Sequence, residues 1–296
     1  MPNKAPGDEM SKHRYANAKR AADYTIDQRW ESYSAEEHDR WDRLFKRQSE
    51  LLPGRTCDTF LKSLDGLRLS DGGIPDMDRL SDRLEKRTDW RIVPVADLVP
   101  DEVFFEHLAN KRFPAAAFIR SEDQLDYLQE PDVFHDIFGH APLLSDPVFS
   151  DFMQAYGRGG LRAMKRGNLH FLARLYWYTV EFGIIRTKEG ERIYGAGILS
   201  SPTECQFALD DASPHRVGFD LERIMRTRYI IDDFQRTYFI IESFEDLLAA
   251  CYQDFDSLYD KLEGMGDVVP EAIIPGDMVW SRGTQDYFAS KAVGFV

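Results

Sequence analysis

Apolar residues recur with helical spacing along most of the chain after residue 30, and short apolar runs interrupt this pattern at a few places. The first helix is predicted to begin after Ser34, because Ser34 and Glu37 have the spacing of a capping box. Further helices are predicted at 58–67, at 76–86, after Pro100 as a first helical residue, and over most of 132–185.

The short apolar runs predict strands. These strands are predicted at 90–95, 115–119, 192–197, 229–231 and 238–241. Pro94 lies inside the first run and indicates a sheet edge or a bulge, since proline lacks the N–H that a central strand donates. Because the helical segments are longer than the strands, we predict a mainly α (α+β) fold, a single compact helical domain with a few short strands.

The same pattern divides the chain into three parts. Residues 1–30 lack apolar periodicity, so we predict a flexible N-terminal tail there. Residues 31–265 carry the predicted helices and strands and form one folded domain. Residues 266–296 are assigned to a C-terminal extension.

Composition and charge narrow the possible functions. The 296 residues are 43% hydrophobic, enough for a sizeable core, and carry a formal net charge of −14. This charge and the lack of a long basic run argue against nucleic acid as a partner. Cys57, Cys205 and Cys251 are widely separated, a pattern that fits neither a disulfide framework nor a thiolate zinc site. Without a signal peptide or a bilayer-length apolar run, we expect no membrane partner and a cytoplasmic location.

Two histidines and one glutamate are the candidate metal ligands. His135 and His140 lie close together in the chain, and Glu181 is 41 residues after His140. Two imidazoles and one carboxylate form the facial triad of non-haem Fe(II) oxygenases, which leaves metal positions open for other ligands. The same set suits a catalytic zinc ion, so the residues alone leave a zinc hydrolase as an alternative.

The spacing of the two histidines predicts a break in the helix, because residues five apart on an α-helix point about 140° apart. We expect Gly139 to take the left-handed conformation past a helix end, with His135 in the last turn and His140 on the following loop. Glu181 lies in a segment that is apolar on nearly every face. A buried glutamate needs either a cation or an arginine partner such as Arg174.

Three long motifs resemble the pterin-dependent aromatic amino acid hydroxylase family. They are YLQEPDVFHDIFGHAPL at 127–143, YWYTVEFG at 176–183 and YGAGILSS at 194–201, with weaker matches at Phe234-Gln235 and 242–244. Their order and spacing agree with the family from roughly residue 30 to residue 260, so 31–265 is expected to be the catalytic domain.

The resemblance implies Fe(II) bound by His135, His140 and Glu181 in a central pocket, with O₂ and a tetrahydropterin as co-substrates. It implies hydroxylation of L-phenylalanine to L-tyrosine, and tryptophan hydroxylation by the same chemistry stays open. Ile240 falls where the tyrosine-acting branch carries an acidic side chain, and an apolar residue there fits an unsubstituted ring.

The resemblance also implies the remaining site residues. Arg120 aligns with an arginine that holds the amino-acid carboxylate, which a guanidinium can grip with two parallel hydrogen bonds. The other expected substrate-binding residues are Pro131, Trp177, Gly197 and Ser200. The expected pterin-binding residues are Leu98, Val99, Asp101, Phe104, Asp136 and Tyr176. Many relatives carry glutamate in place of Asp136, so we expect this shorter side chain to reach the pterin through a bridging water.

Animal relatives carry a regulatory domain and an oligomerisation tail, for which this chain has no room. We therefore expect a monomer that acts on small molecules.

Overall fold

The structure, a computed structural model, describes residues 13–126 and 130–293. Residues 1–12 of the predicted tail and Tyr127, Leu128 and Gln129 of the first family motif lie outside the described residues. Within the described part of the chain, helices predominate over strands, as predicted. The α-helices are α1 (Ala35–Leu51), α2 (Asp58–Gly66), α3 (Met77–Thr88), α4 (Asp101–Ala109), α5 (Pro147–Arg166), α6 (Leu169–Tyr176), α7 (Ala196–Leu199), α8 (Pro202–Asp210), α9 (Leu221–Arg226), α10 (Phe244–Ala250), α11 (Phe255–Glu263) and α12 (Asp286–Val293).

The strands form two sheets. They are β1 (Arg91–Val95), β2 (Arg112–Ala116), β3 (Ile184–Thr187), β4 (Gly190–Ile193), β5 (His215–Gly218), β6 (Thr237–Ile241) and β7 (Val279–Ser281). Strands β1 and β2 pair in parallel, with Val95 opposite Ala116. The second sheet has the order β4-β3-β6-β5-β7, and its central strand β6 is parallel to both neighbours. The strand predicted at 229–231 is not formed.

Helix ends follow the local chemistry of the sequence. The predicted capping box is present: Glu37 N–H donates to Ser34 Oγ at 3.2 Å, and Ser34 N–H donates to Glu37 Oε2 at 2.8 Å. We predicted Pro100 as the first residue of α4, but it is the N-cap residue, one position earlier. Arg91 and Val95 hydrogen-bond toward β2, and Pro94 alternates with them and faces the other side of β1. Its missing N–H therefore costs no ladder bond.

Two glycines let α5 pack closely against α4. A Cβ on Gly157 would lie 2.5 Å from Ala109 N, and a Cβ on Gly160 would lie 2.0 Å from the Phe105 ring. Any larger side chain would therefore push the two helices apart. This close approach fixes the position of α4, which carries Phe104.

Residues 13–30 pack against the domain. Tyr15 is fully buried, and Ile26 N–H donates to Pro94 O at 2.9 Å beside a bridge between Thr25 and Val95. The expectation of a flexible tail is therefore wrong for 13–30. These residues are held by single contacts in irregular backbone, which leaves no periodic pattern in the sequence.

The described residues of the assigned C-terminal extension belong to the same body. Strand β7 pairs with β5 at the edge of the larger sheet, and Gly283 N–H donates to His215 Nδ1 at 2.8 Å. A single hydrophobic core extends from Tyr15 to Phe288. Across the described ranges, no helix combines the length and the hydropathy needed to span a bilayer.

Candidate metal centre

His135 and His140 lie on a π-helical segment, Phe134–His140. A π-helix has more residues per turn than an α-helix, because each of its hydrogen bonds joins residues five apart. Side chains five apart therefore point to nearly the same side. Our expectation of a left-handed Gly139 is wrong, since its φ is not positive. Glycine favours close packing there: a Cβ would lie 3.0 Å from Ala196 O, so a larger residue would need Ala196 to shift by a few tenths of an ångström.

Glu181 ends a second π-helical segment, Trp177–Glu181, which continues directly from α6. Its side chain is 14% exposed. The alternative partner Arg174 is bound elsewhere, with Nη1 2.8 Å from Asp267 Oδ1. The carboxylate of Glu181 therefore faces the two histidines and is not paired with Arg174.

The three predicted ligands converge on one point. His140 Nε2 lies 3.2 Å from Glu181 Oε1, His135 Nε2 lies 3.5 Å from Glu181 Oε2, and the two Nε2 atoms are 3.3 Å apart. One ligand atom from each residue lies within 4.8 Å of the others. Nitrogen lone pairs and an anionic oxygen that face one another suit a shared cation, so this donor set fits a bound metal.

Ser200 determines which nitrogen of His135 can bind a metal. Ser200 Oγ lies 2.9 Å from Ala196 O and 2.9 Å from His135 Nδ1. The hydroxyl has one proton, which it donates to the carbonyl, so it accepts from Nδ1–H. The lone pair of Nε2 is then directed toward Glu181, the tautomer that a metal ligand needs.

Charges in the cluster favour the metal-binding forms. Burial lowers the pKa of His135 to about 4, against the opposing attraction of Glu181. Burial alone would raise the pKa of Glu181, but the positive charge that His140 and His135 can carry holds it below its ordinary value. At neutral pH His135 is therefore neutral and Glu181 is ionised, as metal binding requires.

A buried ion pair between Arg120 and Asp132 is hydrogen-bonded to the backbone of His135. Asp132, fully buried, accepts from Arg120 Nε and Nη2, both at 2.8 Å, and its Oδ1 also accepts from His135 N–H at 3.0 Å. Two of the three nitrogens of the Arg120 guanidinium are thus bound by an internal carboxylate, which the sequence did not indicate. Within the described residues, Nη1 has no hydrogen-bond partner.

A cavity opens beside the metal ligands. Six residues that we predicted for substrate or pterin line it together with the metal ligands: Leu98, Val99, Phe104, Pro131, Asp136 and Tyr176. Asp101, the first residue of α4, lies outside this set. The other lining residues were not predicted from the sequence, and they are Val95, Asp97, Phe113, Pro114 and Ala116. Val95 and Ala116 are the last residues of the parallel strands β1 and β2. Because the carboxyl ends of parallel strands meet at one edge, where ligands often bind, the predicted strands could have indicated these two residues.

Asp136 is a buried carboxylate at this cavity. Its Oδ2 accepts from Ala116 N–H at 2.7 Å, which attaches it to the end of β2. Burial raises the pKa of Asp136 to about 7.

Three more predicted substrate residues lie around Glu181 and His135. The backbone N–H of Gly197 helps to lower the pKa of Glu181, and Ser200 binds His135. The Trp177 ring lies 4.8 Å from the Phe182 ring, and Phe182 in turn lies 3.0 Å from the position of a Cβ on Gly197. Phe182 therefore links Trp177 to the backbone at Gly197.

Comparison with known proteins identifies the family. Residues 4–261 match the family described as biopterin-dependent aromatic amino acid hydroxylase. The chain belongs to this family. The hydroxylase is 58% identical over 265 residues to a phenylalanine-4-hydroxylase of Caulobacter vibrioides, an alignment that covers 90% of each chain. It is 54% identical over 273 residues to that of Chromobacterium violaceum, covering 90% of this chain and 92% of the relative.

A solved structure agrees with the fold. The hydroxylase superimposes on the phenylalanine hydroxylase of Chromobacterium violaceum bound to cobalt with a TM-score of 0.87 at 54% identity, covering 88% of this chain and 95% of that one. The predictions of the family, of an enzyme and of a mainly helical catalytic fold are thereby confirmed.

Proposed function

We propose that this hydroxylase converts L-phenylalanine to L-tyrosine with O₂ and a tetrahydropterin at an Fe(II) ion held by His135, His140 and Glu181. The observation that carries the proposal is the convergence of these three ligand atoms beside a cavity. The names of the relatives support phenylalanine as the substrate, and the family supports a pterin.

The ligand set favours iron. Two imidazoles and one carboxylate leave half of an octahedral ion's positions open, the arrangement used by non-haem Fe(II) oxygenases. When bound, the metal supplies the redox chemistry that the activation of O₂ requires. The protein contributes the orientation of the ligands, because Ser200 and Asp132 hold His135 from two sides. The zinc hydrolase alternative receives no support from the family.

The cavity is the proposed pterin site. Phe104 offers an aromatic face, and the backbone at 98–101 offers hydrogen-bonding groups for the polar edge of a flat bicyclic ring. Asp136 already uses one carboxylate oxygen for Ala116 N–H. The other oxygen is left for the water that we expect between Asp136 and the pterin.

The amino acid is proposed to bind on the side of Trp177 and Gly197, with its carboxylate at Arg120. Because Asp132 occupies Nε and Nη2, we propose that Arg120 contacts the substrate carboxylate through Nη1 and not through two parallel bonds. Asp132 fixes the plane of the guanidinium in advance, which lowers the entropy cost of binding.

Product analysis tests the function. Iron-reconstituted protein is given L-phenylalanine, O₂ and tetrahydropterin, beside a His135→Ala control. Tyrosine from the wild type alone is expected. Consumption of pterin and O₂ without tyrosine would indicate that the substrate is tryptophan or another aromatic compound. No consumption at all would overturn the proposal.

A monomeric state and a cytoplasmic location remain proposals. Size-exclusion chromatography with light scattering is expected to give the mass of one chain, 34.2 kDa. A mass of two or four chains would contradict it.

A further inference from the structure

The indole of Trp177 is tied to a buried glutamine. Trp177 Nε1–H donates to Gln235 Oε1 at 2.9 Å, and Gln235 is only 1% exposed. Gln235 lies on the segment between α9 and β6, far from Trp177 in sequence. It also belongs to the weak fourth match to the family, and the proposed function gives it no role.

Gln235 is itself held in one orientation. Its Nε2 donates to Ile230 O at 2.8 Å and is 3.3 Å from Asp233 O. Two carbonyl groups on that side require the NH₂ end of the amide, so Oε1 must face the indole N–H. The backbone of Gln235 also lies close enough to the buried carboxyl group of Glu204 to influence its pKa. A flipped or displaced amide would leave buried polar atoms without partners.

The rings around Trp177 and the amide constrain different motions. Tyr229 stacks on the indole with the ring centroids 4.5 Å apart and the planes at 19°, and Phe182 lies 4.8 Å away. Stacking fixes the plane of the ring but tolerates a flip of about 180° about the Cβ–Cγ bond, which keeps the plane and moves the N–H to the opposite edge. The hydrogen bond to Gln235 removes this freedom, because only one orientation directs Nε1–H at Oε1.

We propose that Gln235 is a positioning residue for substrate selection: it orients the Trp177 indole, and through it sets the aromatic side chain that the active site accepts. The inference rests on the proposed function, in which Trp177 is a wall of the aromatic pocket. Trp177 also begins the π-helical segment that ends at Glu181. Trp177 and the candidate metal ligand Glu181 therefore lie at the two ends of the same five-residue segment.

A direct measurement of the hydrogen bond is the first part of the test. With ¹⁵N-labelled indoles, the Trp177 Nε1–H resonance is assigned by its loss in Trp177→Phe. In Gln235→Leu this resonance is expected to move upfield and to exchange faster with solvent. An unchanged resonance would overturn the proposal without any assay of activity.

Kinetics form the second part. Gln235→Leu is expected to raise KM for L-phenylalanine by up to about tenfold, because the free energy of the one internal hydrogen bond limits how much the indole orientation can contribute to binding. It is also expected to change the ratio of kcat/KM for phenylalanine over tryptophan. KM for the tetrahydropterin is expected to stay within about twofold, since the cavity at Phe104 is untouched. The matched control is Gln28→Leu, another buried glutamine with both amide atoms bonded but with no link to Trp177.

A double-mutant cycle separates positioning from general damage. In the Trp177→Phe background there is no indole to orient, so Gln235→Leu is expected to have no further effect on KM for phenylalanine. An equal rise in KM in both backgrounds would overturn the proposal. If Gln235→Leu does not fold, Gln235→Asn keeps an amide but withdraws it by one methylene, and the same coupling is expected. Absence of tyrosine from the wild type would instead refute the proposed function.

Discussion

Glu204 provides a test of how burial affects stability in this fold. Its side chain is buried in α8, where Oε1 accepts from the Tyr238 hydroxyl, and burial raises the pKa of the carboxyl group from 4.5 to about 7. The folded protein therefore binds one more proton than the unfolded chain between pH 4.5 and 7. The substitution Glu204→Gln removes this titration while keeping the size of the side chain.

The sign and size of the effect follow from the two pKa values. Below pH 4.5 the carboxyl group is protonated in both states and costs nothing. As the pH rises to 7, the wild type loses stability, because the unfolded chain releases its proton first. At about 1.4 kcal/mol per pKa unit, the full loss is roughly 3 kcal/mol above pH 7. Relative to the wild type, Glu204→Gln is therefore expected to gain roughly 2–3 kcal/mol between pH 5 and pH 8.

The assay is urea denaturation of both proteins at pH 5, 6, 7 and 8, followed by circular dichroism. Other groups titrate in both proteins, so the difference in the free energy of unfolding isolates Glu204, and any constant cost of the amide adds a fixed offset. A difference that stays constant within about 0.5 kcal/mol across this range, well below the predicted change, would show that the carboxyl group titrates normally.

Three further predictions concern the metal centre. Ser200→Ala removes the acceptor of His135 Nδ1–H and is expected to weaken iron binding about 10- to 100-fold, as measured by competition with a chelator; unchanged affinity would contradict the proposed tautomer. Asp132→Asn leaves the buried Arg120 charge without its carboxylate and is expected to cost about 3–5 kcal/mol of unfolding free energy in denaturant titrations, so a loss below about 1 kcal/mol would refute this role of the pair. Removal of metal by a chelator is expected to lower the melting temperature, and restoring iron should recover it; equal melting temperatures would argue against a metal bound to the folded state.

The sequence identified the three candidate metal ligands but not the geometry that unites them. His135, His140 and Glu181 were predicted from residue types and spacing, and they converge as expected. The break at Gly139 was wrong, because an α-helix was assumed and the chain forms a π-helix. A π-helix has poor intrinsic stability and exists where tertiary packing requires it, so no local pattern predicts it.

The supporting contacts were equally invisible in the sequence. Asp132 and Gln235 look like ordinary polar residues, and their partners Arg120 and Trp177 are 12 and 58 positions away. Burial turns such groups into positioning elements, since a buried polar atom must find a partner. Residues 13–30 were misassigned for a related reason: their contacts with β1 leave no periodic trace.

The sequence by itself determined the class of this protein. Apolar periodicity predicted a mainly helical domain, capping residues placed helix starts, and three motifs indicated the family and the residues expected to bind its metal. Only the tertiary structure decided the tautomer of His135, the partner of Arg120 and the orientation of Trp177. Periodicity and capping act over a few residues and are readable along the chain. Orientation depends on hydrogen bonds and packing between distant segments, which form only when folding brings those segments together and removes water from between them.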